Sequence, residues 1–339
     1  MGFEDLGKDS GGNSGKDPSE HGYNWKDIRK DIERETPDIH GFGGNDPYSD
    51  EEIARDLAKV KEIKSRPDYK KAQGVADSAV QEYATQQEIG EMDWFGEDLR
   101  TDELFGDEDI TPTGVCLSSE YDDLVNHVDA VCLMKNSLSD FEPVPFALDL
   151  TYTTDTDQLN KKFHWAHRSQ NVNVPGFCTV KYYEDVFSAK PMLPKGKIEV
   201  MPRFIIGYNE DLSQRITEQR LFNSGGFESL GREEPSTKAK FCVLKELKMQ
   251  SEQMLGFLSE HHEDSAELEK MYKDVTALDK YFGGAIEVAR QHDLHKFEEY
   301  SKRDEVFNAI ICRNIMGMQK IQPKTEPQQT EQIQRVEDN

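Results

Sequence analysis

Apolar residues recur along this chain in two patterns, one typical of strands and one typical of helices. Short apolar runs rich in β-branched and aromatic residues predict strands over residues 114–117, 128–134, 146–153, 177–183 and 200–208. Apolar positions at helical spacing predict helices over residues 25–32, 69–89, 156–171, 211–222, 239–259, 265–281 and 294–318, and one that begins at Ser49 and ends at Pro67. This order predicts an α/β fold: a mixed central sheet with flanking helices and a C-terminal helical extension.

The same pattern divides the chain into four segments. Residues 1–48 are rich in Gly, Ser and Asp and are expected to be disordered, apart from a short helix over residues 25–32. Residues 49–222 carry all the predicted strands and form the α/β domain. A Gly-rich linker over 223–235 leads to a C-terminal helical region over 236–320, and the Gln/Glu/Pro-rich tail 321–339 is expected to be disordered.

Composition limits the classes of function. The net charge of −25 argues against a general polyanion binder, but acidic residues concentrate in 74–125, whereas eight Lys/Arg face three acids in 160–205. That second segment could line a phosphodiester site, although a merely solvated lysine face is an equal alternative. No apolar run approaches the roughly 20 residues of a membrane span. Five widely spaced cysteines support neither a zinc site nor disulfides, and a reducing cytoplasm is expected.

Two aspartates carry the most specific signal. Asp129 lies at the start of one predicted strand and Asp149 near the end of the next, so an antiparallel hairpin would place them side by side. Two carboxylates among apolar neighbours repel each other unless a cation lies between them. Mg²⁺ binds one or two carboxylates, a backbone carbonyl and water, so the carbonyl of Leu150 is a plausible third ligand.

Here the sequence resembles the PD-(D/E)xK nuclease superfamily, which has the restriction-endonuclease-like fold. The resemblance covers about residues 75–220. It rests on Asp129 followed by Asp149-Leu150-Thr151, on Ser119-Glu120-Tyr121-Asp122-Asp123 and on Lys161-Lys162-Phe163, which are similar to uncharacterised nuclease-like proteins predicted in bacterial and phage genomes.

The resemblance implies a role for each of these residues. Asp129 and Asp149 would bind Mg²⁺ or Mn²⁺. An acid on the preceding helix would join them, with Glu82 as one candidate. Asp122 and Asp123 are rivals for that place. Thr151 stands where the family has its water-orienting lysine, and because some members move that lysine to the following helix, Lys162 is the candidate replacement.

Each residue also has a structural alternative. Asp129 is a common turn residue, Asp149 an outward-facing solvated aspartate, Asp122 and Asp123 a solvated turn or helix cap, and Lys162 a surface lysine with a buried stem.

The leading hypothesis is a metal-dependent nuclease that acts on DNA or RNA. One alternative is an inactive nuclease-fold scaffold that binds a protein partner or itself through the C-terminal helices. A third is a DNA mimic that uses the acids of 91–109 and 120–123 to occupy a basic protein.

Overall fold

A computed structural model describes residues 25–44, 47–67, 69, 77–91, 110–136, 143–152, 155–167, 174, 176–185, 193–217, 233–291, 304 and 306–310. These residues form a five-stranded sheet in the order β1-β2-β3-β5-β4. The strands are β1 (Ile110–Leu117), β2 (Ala130–Asn136), β3 (Val144–Thr151), β4 (Phe177–Tyr183) and β5 (Gly196–Gly207). Only the central pair, β3 and β5, is parallel; β1–β2, β2–β3 and β4–β5 are antiparallel. The prediction of a mixed α/β sheet is therefore confirmed.

Helices surround this sheet in the described part of the chain. They are α1 (Trp25–Glu35), α2 (Asp50–Ser65), α3 (Asp77–Glu91), α4 (Thr156–His167), α5 (Glu210–Thr217), α6 (Glu233–His261) and α7 (Ala266–Gln291). Helix α2 begins as the sequence predicts, because Ser49 and Glu52 form a reciprocal capping box. No helix among these residues is long and apolar enough to span a membrane.

The two faces of the sheet have different partners. Because side chains alternate along a strand, Phe146, Leu148 and Leu150 point to one face, where α6 and α7 cover them in the largest apolar cluster. Ala147 and Asp149 point to the opposite face, where apolar residues from β1, β2, β4 and β5 form a smaller cluster around Val131 and Met201. Asp149 therefore lies on the face that α6 and α7 leave uncovered.

Helix α6 also completes the hydrogen bonding of β5. Strand β4 pairs with β5 only as far as Pro202, so the backbone groups on that side of the last residues of β5 have no partner from β4. The side-chain amide of Gln250 accepts from Ile205 N at 2.9 Å and donates to Ile205 O at 2.7 Å, and Glu246 accepts from Gly207 N at 2.9 Å. Side chains of a helix thus take the place of a missing strand.

Two boundary predictions require correction. The helix expected over residues 25–32 is present as α1, but the following residues, expected to be disordered, form a short 3-10 turn (Ile39–Phe42), and Phe42 packs against the buried Tyr182 ring. The turn is ordered because Ile39 and Phe42 pack with Ile53 and Val60 of α2 in one apolar cluster that includes Tyr182 of β4. Likewise, α6 begins at Glu233 and shares the main core with the sheet, so the C-terminal helices are a layer of the same core rather than an extension.

Some predictions lie outside the described residues. These are the disorder expected for 1–24 and 321–339, the acidic loop 92–109, most of the helix expected over 294–318, of which 306–310 is helical, and Cys312. The cysteines that the structure describes (Cys116, Cys132, Cys178 and Cys242) are buried free thiols.

Replacing Gln250 tests whether α6 stabilises β5. In a Gln250→Ala variant, Ile205 N–H and C=O lose their partners in a buried place, so the free energy of unfolding should fall by about 2–4 kcal/mol. Urea unfolding followed by circular dichroism measures this. Glu252→Ala is the matched control, because it removes an exposed side chain from the same helix and should cost less than about 1 kcal/mol. Equal losses in both variants would contradict the proposed pairing.

Candidate functional site

The pairing of β2 with β3 brings Asp129 and Asp149 together. The register of β2 and β3 ends with Ala130 opposite Leu148, and Asp129 directly precedes Ala130. Asp129 N donates to Leu148 O at 2.9 Å, which keeps Asp129 beside the end of β3. The Asp129 carboxylate there binds Leu150 N and lies close enough to Asp149 for the two negative charges to oppose each other.

The backbone of Leu150 is available to side chains because β2 diverges from β3 at this point. Along β3, every second residue directs its backbone N–H and C=O toward β2. Leu150 is one of these residues, but it lies beyond Leu148, the last residue of β3 that pairs with β2. The Asp129 carboxylate accepts from Leu150 N at 2.5 Å, and Lys162 Nζ donates to Leu150 O at 2.5 Å. The backbone carbonyl expected to serve as a metal ligand therefore faces the site, where an ammonium binds it.

Asp149 is a buried carboxylate held by two cations. Its side chain is 2% exposed and accepts hydrogen bonds from Lys162 on α4 and from Arg203 on β5, one at each carboxylate oxygen. Burial alone would raise the pKa of Asp149, but Lys162 and Arg203 outweigh it and hold the pKa below its usual range. The idea that Asp149 is an outward-facing solvated residue is therefore wrong, and so is that of a purely surface Lys162.

Two further carboxylates lie close enough to Asp129 and Asp149 to influence them. Glu82 on α3 loses hydration, and the charge of Asp129 adds to the effect, so the pKa of Glu82 rises well above its usual value. Asp123 reaches solvent, yet partial loss of hydration and then the charge of Asp129 raise the pKa of Asp123 to about 8. We call Glu82, Asp123, Asp129 and Asp149 the acidic cluster.

The acidic cluster has more negative than positive charge. Loss of hydration and the Asp149 charge raise the pKa of Asp129 to about 6, although Lys162 partly offsets them. Burial and then Arg203 lower the pKa of His127 to about 4, so its imidazole is neutral at pH 7. The four carboxylates outnumber the two cations, Lys162 and Arg203, and the raised pKa values of Glu82 and Asp123 show that the acidic cluster relieves this excess of negative charge by binding protons. Such an excess at a half-buried site is typical of functional sites.

Asp122 holds a turn of the fold. Its carboxylate is buried and accepts four hydrogen bonds, from the backbone N–H groups of Lys181 and Tyr182 and from the side chains of Ser119 and Asn126. These bonds fix the π-helical turn (Asp122–Asn126) against β4. The description of Asp122 as a solvated turn residue is therefore wrong, and a role for Asp122 in metal binding stays a prediction.

The lysines of segment 160–205 that the structure describes do not form a positive lining. Lys181 pairs with Asp56 at 2.5 Å, Lys195 with Glu184 at 2.9 Å and Lys197 with Glu199 at 3.2 Å. Lys181 of β4 also lies over the ring of Tyr48, which precedes α2, so this lysine joins β4 to α2 and to the segment before it. Each of these ammonium groups is thus neutralised by a neighbouring carboxylate, and Lys162 is the lysine of the segment that contacts the acidic cluster in the described structure.

Thr151 lies two residues after Asp149 on the same face and is buried. It pairs with Gly207 in the parallel register, and a Cβ at Gly207 would come within 2.0 Å of the Thr151 carbonyl oxygen. Glycine is therefore required where β5 approaches the end of β3. A role for the Thr151 hydroxyl in orienting water stays a prediction.

Sequence reasoning missed two residues of the site. Arg203 approaches Asp149 through the parallel pairing of β3 with β5, which no local pattern predicts, and its buried Nε atom has no hydrogen-bond partner. His127 adopts a left-handed backbone conformation (φ 56°) as the C-cap of the π-helical turn, two residues before Asp129. This position follows from the turn that His127 ends, and no sequence pattern indicates it.

The donor chemistry of the site fits a divalent cation. Asp129, Asp149 and the Leu150 carbonyl provide the oxygen ligands that Mg²⁺ prefers, and the excess negative charge favours it. In the described residues, however, no three Asp, Glu, His or Cys side chains converge as a complete cage. Water ligands are usual for Mg²⁺, so the fit rests on two carboxylates and one carbonyl.

The raised pKa values predict a pH dependence of stability. Between pH 4 and about 6, folded Asp129 binds a proton that the unfolded chain has released, so its contribution to the free energy of unfolding falls as the pH rises through this window. The raised pKa of Asp123 extends the decrease to about pH 8.

An Asp129→Asn variant should therefore gain stability relative to the wild type between pH 4 and 7, on the order of 2 kcal/mol. Thermal and urea unfolding across this range measure the difference. Lys161→Gln is the control, because it changes an exposed charge without removing a carboxylate of the acidic cluster. A constant difference between Asp129→Asn and wild type at all pH values would contradict the electrostatic assignment.

Comparisons with known proteins identify no relative for this fold and site. No family model, no curated protein and no solved structure matches the chain. Its function must therefore be inferred from the geometry of the acidic cluster itself.

Proposed function

We propose that this protein is a metal-dependent hydrolase of phosphodiester bonds in DNA or RNA, with a restriction-endonuclease-like fold of the PD-(D/E)xK type. The observation that carries the proposal is the end of the β2–β3 pairing, where the Asp129 carboxylate binds Leu150 N and Lys162 binds both Asp149 and the Leu150 carbonyl. This arrangement of two carboxylates and one carbonyl is what the resemblance implies for the metal ligands of that superfamily.

The residues would divide the chemistry between them. Asp129, Asp149 and the Leu150 carbonyl would hold Mg²⁺ or Mn²⁺, and Glu82 or Asp123 would be the further acid of the site. When bound, such a cation polarises a phosphodiester and lowers the pKa of a water. Arg203 binds one oxygen of the Asp149 carboxylate, so the orientation of this carboxylate does not depend on the metal ion.

Lys162 would take over the role of the family's lysine, since Thr151 stands at the usual position of that lysine. Its pKa is lowered by burial but raised more strongly by Asp149 and Asp129, so the amine stays protonated and acts as a positive charge rather than as a base. A protonated amine beside a phosphodiester stabilises the negative charge that develops during hydrolysis.

Cleavage of nucleic acid in the presence of Mg²⁺ or Mn²⁺ tests this proposal. The purified chain should cleave at least one of single-stranded DNA, double-stranded DNA, or RNA, and cleavage should stop on addition of a chelator. The Asp129→Asn variant should lose about 10²-fold or more of the activity, because it removes one of the oxygen ligands. Gel electrophoresis of labelled substrates measures the rate.

The control is Asp157→Asn, which changes an exposed acid on α4 away from the cluster and should retain wild-type activity. Both variants must give the circular dichroism spectrum of the wild type. Absence of cleavage of every substrate, with either metal, would overturn the proposal.

A second candidate is a catalytically inactive scaffold with the same fold. The pairing of Asp149 with both Lys162 and Arg203 favours it, because these contacts satisfy the carboxylate without a metal. The neutralised lysines of β4 and β5 favour it too. Calorimetry separates the candidates, since the enzyme must bind Mg²⁺ well below millimolar concentration whereas the scaffold need not bind it.

A further inference from the structure

The Lys162 ammonium binds the same pair of oxygens that the proposed metal needs. It donates to Asp149 Oδ1 and to Leu150 O, the latter at 2.5 Å. One carboxylate oxygen and the carbonyl oxygen of the next residue are also the ligands expected for Mg²⁺ on this strand. Two cations cannot share this position, because they would lie within a few ångströms of each other.

We propose that Lys162 is a displaceable occupant of the cation position formed by Asp149 Oδ1 and Leu150 O, and that a divalent cation and the Lys162 ammonium bind there in alternation. The inference rests on the proposed function, since it concerns the same site. It adds a regulatory property: the site is closed by its own lysine until a divalent cation replaces it.

The two cations on Asp149 differ in how easily they can leave. The Arg203 side chain is 2% exposed, extends from the centre of the sheet and binds the other carboxylate oxygen. The Lys162 side chain is 26% exposed and extends from α4 on a flexible stem of four carbons. Lys162 can therefore move into solvent while Arg203 continues to orient Asp149.

Electrostatics favour the exchange. With Lys162 in place, four carboxylates share two cations, so their negative charge is only partly offset. A divalent cation in place of the ammonium brings two positive charges instead of one and offsets more of it. The exchange also returns a strongly hydrated ammonium to water, which offsets part of the cost of dehydrating the metal.

Amine labelling of the wild-type protein tests the exchange directly. The protein is treated with a limiting amount of an acetylating reagent, with and without MgCl₂, and the modified lysines are located by tandem mass spectrometry. Labelling of Lys162 should rise about tenfold or more at saturating Mg²⁺, since it follows the population of the released side chain. Lys161 is an internal control, because its side chain is already exposed and its labelling should not change.

Calorimetry with MgCl₂ on a Lys162→Met variant provides a second measurement. Removal of the occupant should tighten Mg²⁺ binding by about tenfold, because the wild-type site is competent only while Lys162 is away. Lys161→Met is the matched control: it removes the same charge from the adjacent residue, but from an exposed side chain, so its effect should stay within about twofold.

The outcomes separate the inference from the proposed function. If Mg²⁺ binds the wild type while Lys162 stays protected and Lys162→Met binds no tighter, the inference is overturned and the nuclease proposal stands. If Mg²⁺ binds only Lys162→Met, the lysine is a permanent occupant that Mg²⁺ does not displace, which overturns both the inference and the nuclease proposal. If Mg²⁺ binds neither protein, both are overturned.

Discussion

The buried carboxylate of Asp149 holds the site together, since it is bound by cations from two different elements. Arg203 reaches it from β5 and Lys162 reaches it from α4, so one side chain connects the central parallel strand pair with the helix that follows β3. A buried charge is tolerated only when it is paired and hydrogen-bonded, and both oxygens of Asp149 meet that requirement. Removing the carboxylate would leave Lys162 and Arg203 without their shared counter-charge, so this position serves the fold as much as any chemistry.

Asp122 and Asp123, adjacent in sequence, show how differently the fold treats its carboxylates. Asp122 is enclosed by four donors and fixes a turn. Asp123 joins the acidic cluster, where the charge of Asp129 opposes its ionisation. A structural carboxylate is surrounded by donors, whereas those of the acidic cluster repel each other at a cost to stability. That cost is the physical reason to regard the acidic cluster as a functional site.

Local patterns in the sequence predict much of this arrangement. The alternation of apolar residues identifies β2 and β3, and their antiparallel pairing, together with the positions of Asp129 and Asp149 at the matching ends, follows from two neighbouring strands. The partner of Lys162 could also be anticipated, since helix α4 directly follows β3 and returns to it. These relations are local in the chain, which is why residue spacing is enough to predict them.

Contacts between residues far apart in the chain could not be predicted from the sequence. Arg203 meets Asp149 only because β5 pairs in parallel with β3, and the register of a parallel pair across a long connection leaves no mark in local periodicity. The same holds for Phe42, whose contact with Tyr182 orders a segment that its composition describes as disordered. The amide of Gln250 is a further example, since nothing in an amphipathic helix indicates that one polar side chain will bind a strand.

The contact between Gln250 and β5 also bears on how this chain avoids self-association. Backbone groups of an unpaired strand attract strands of other molecules, and natural proteins shield them with charges, bulges or covering elements. Here the covering residue, Gln250, lies 45 residues after Ile205, the strand residue that it binds. During synthesis the sheet therefore emerges before its cover, and the nascent domain must pass through an interval in which β5 is open to intermolecular pairing.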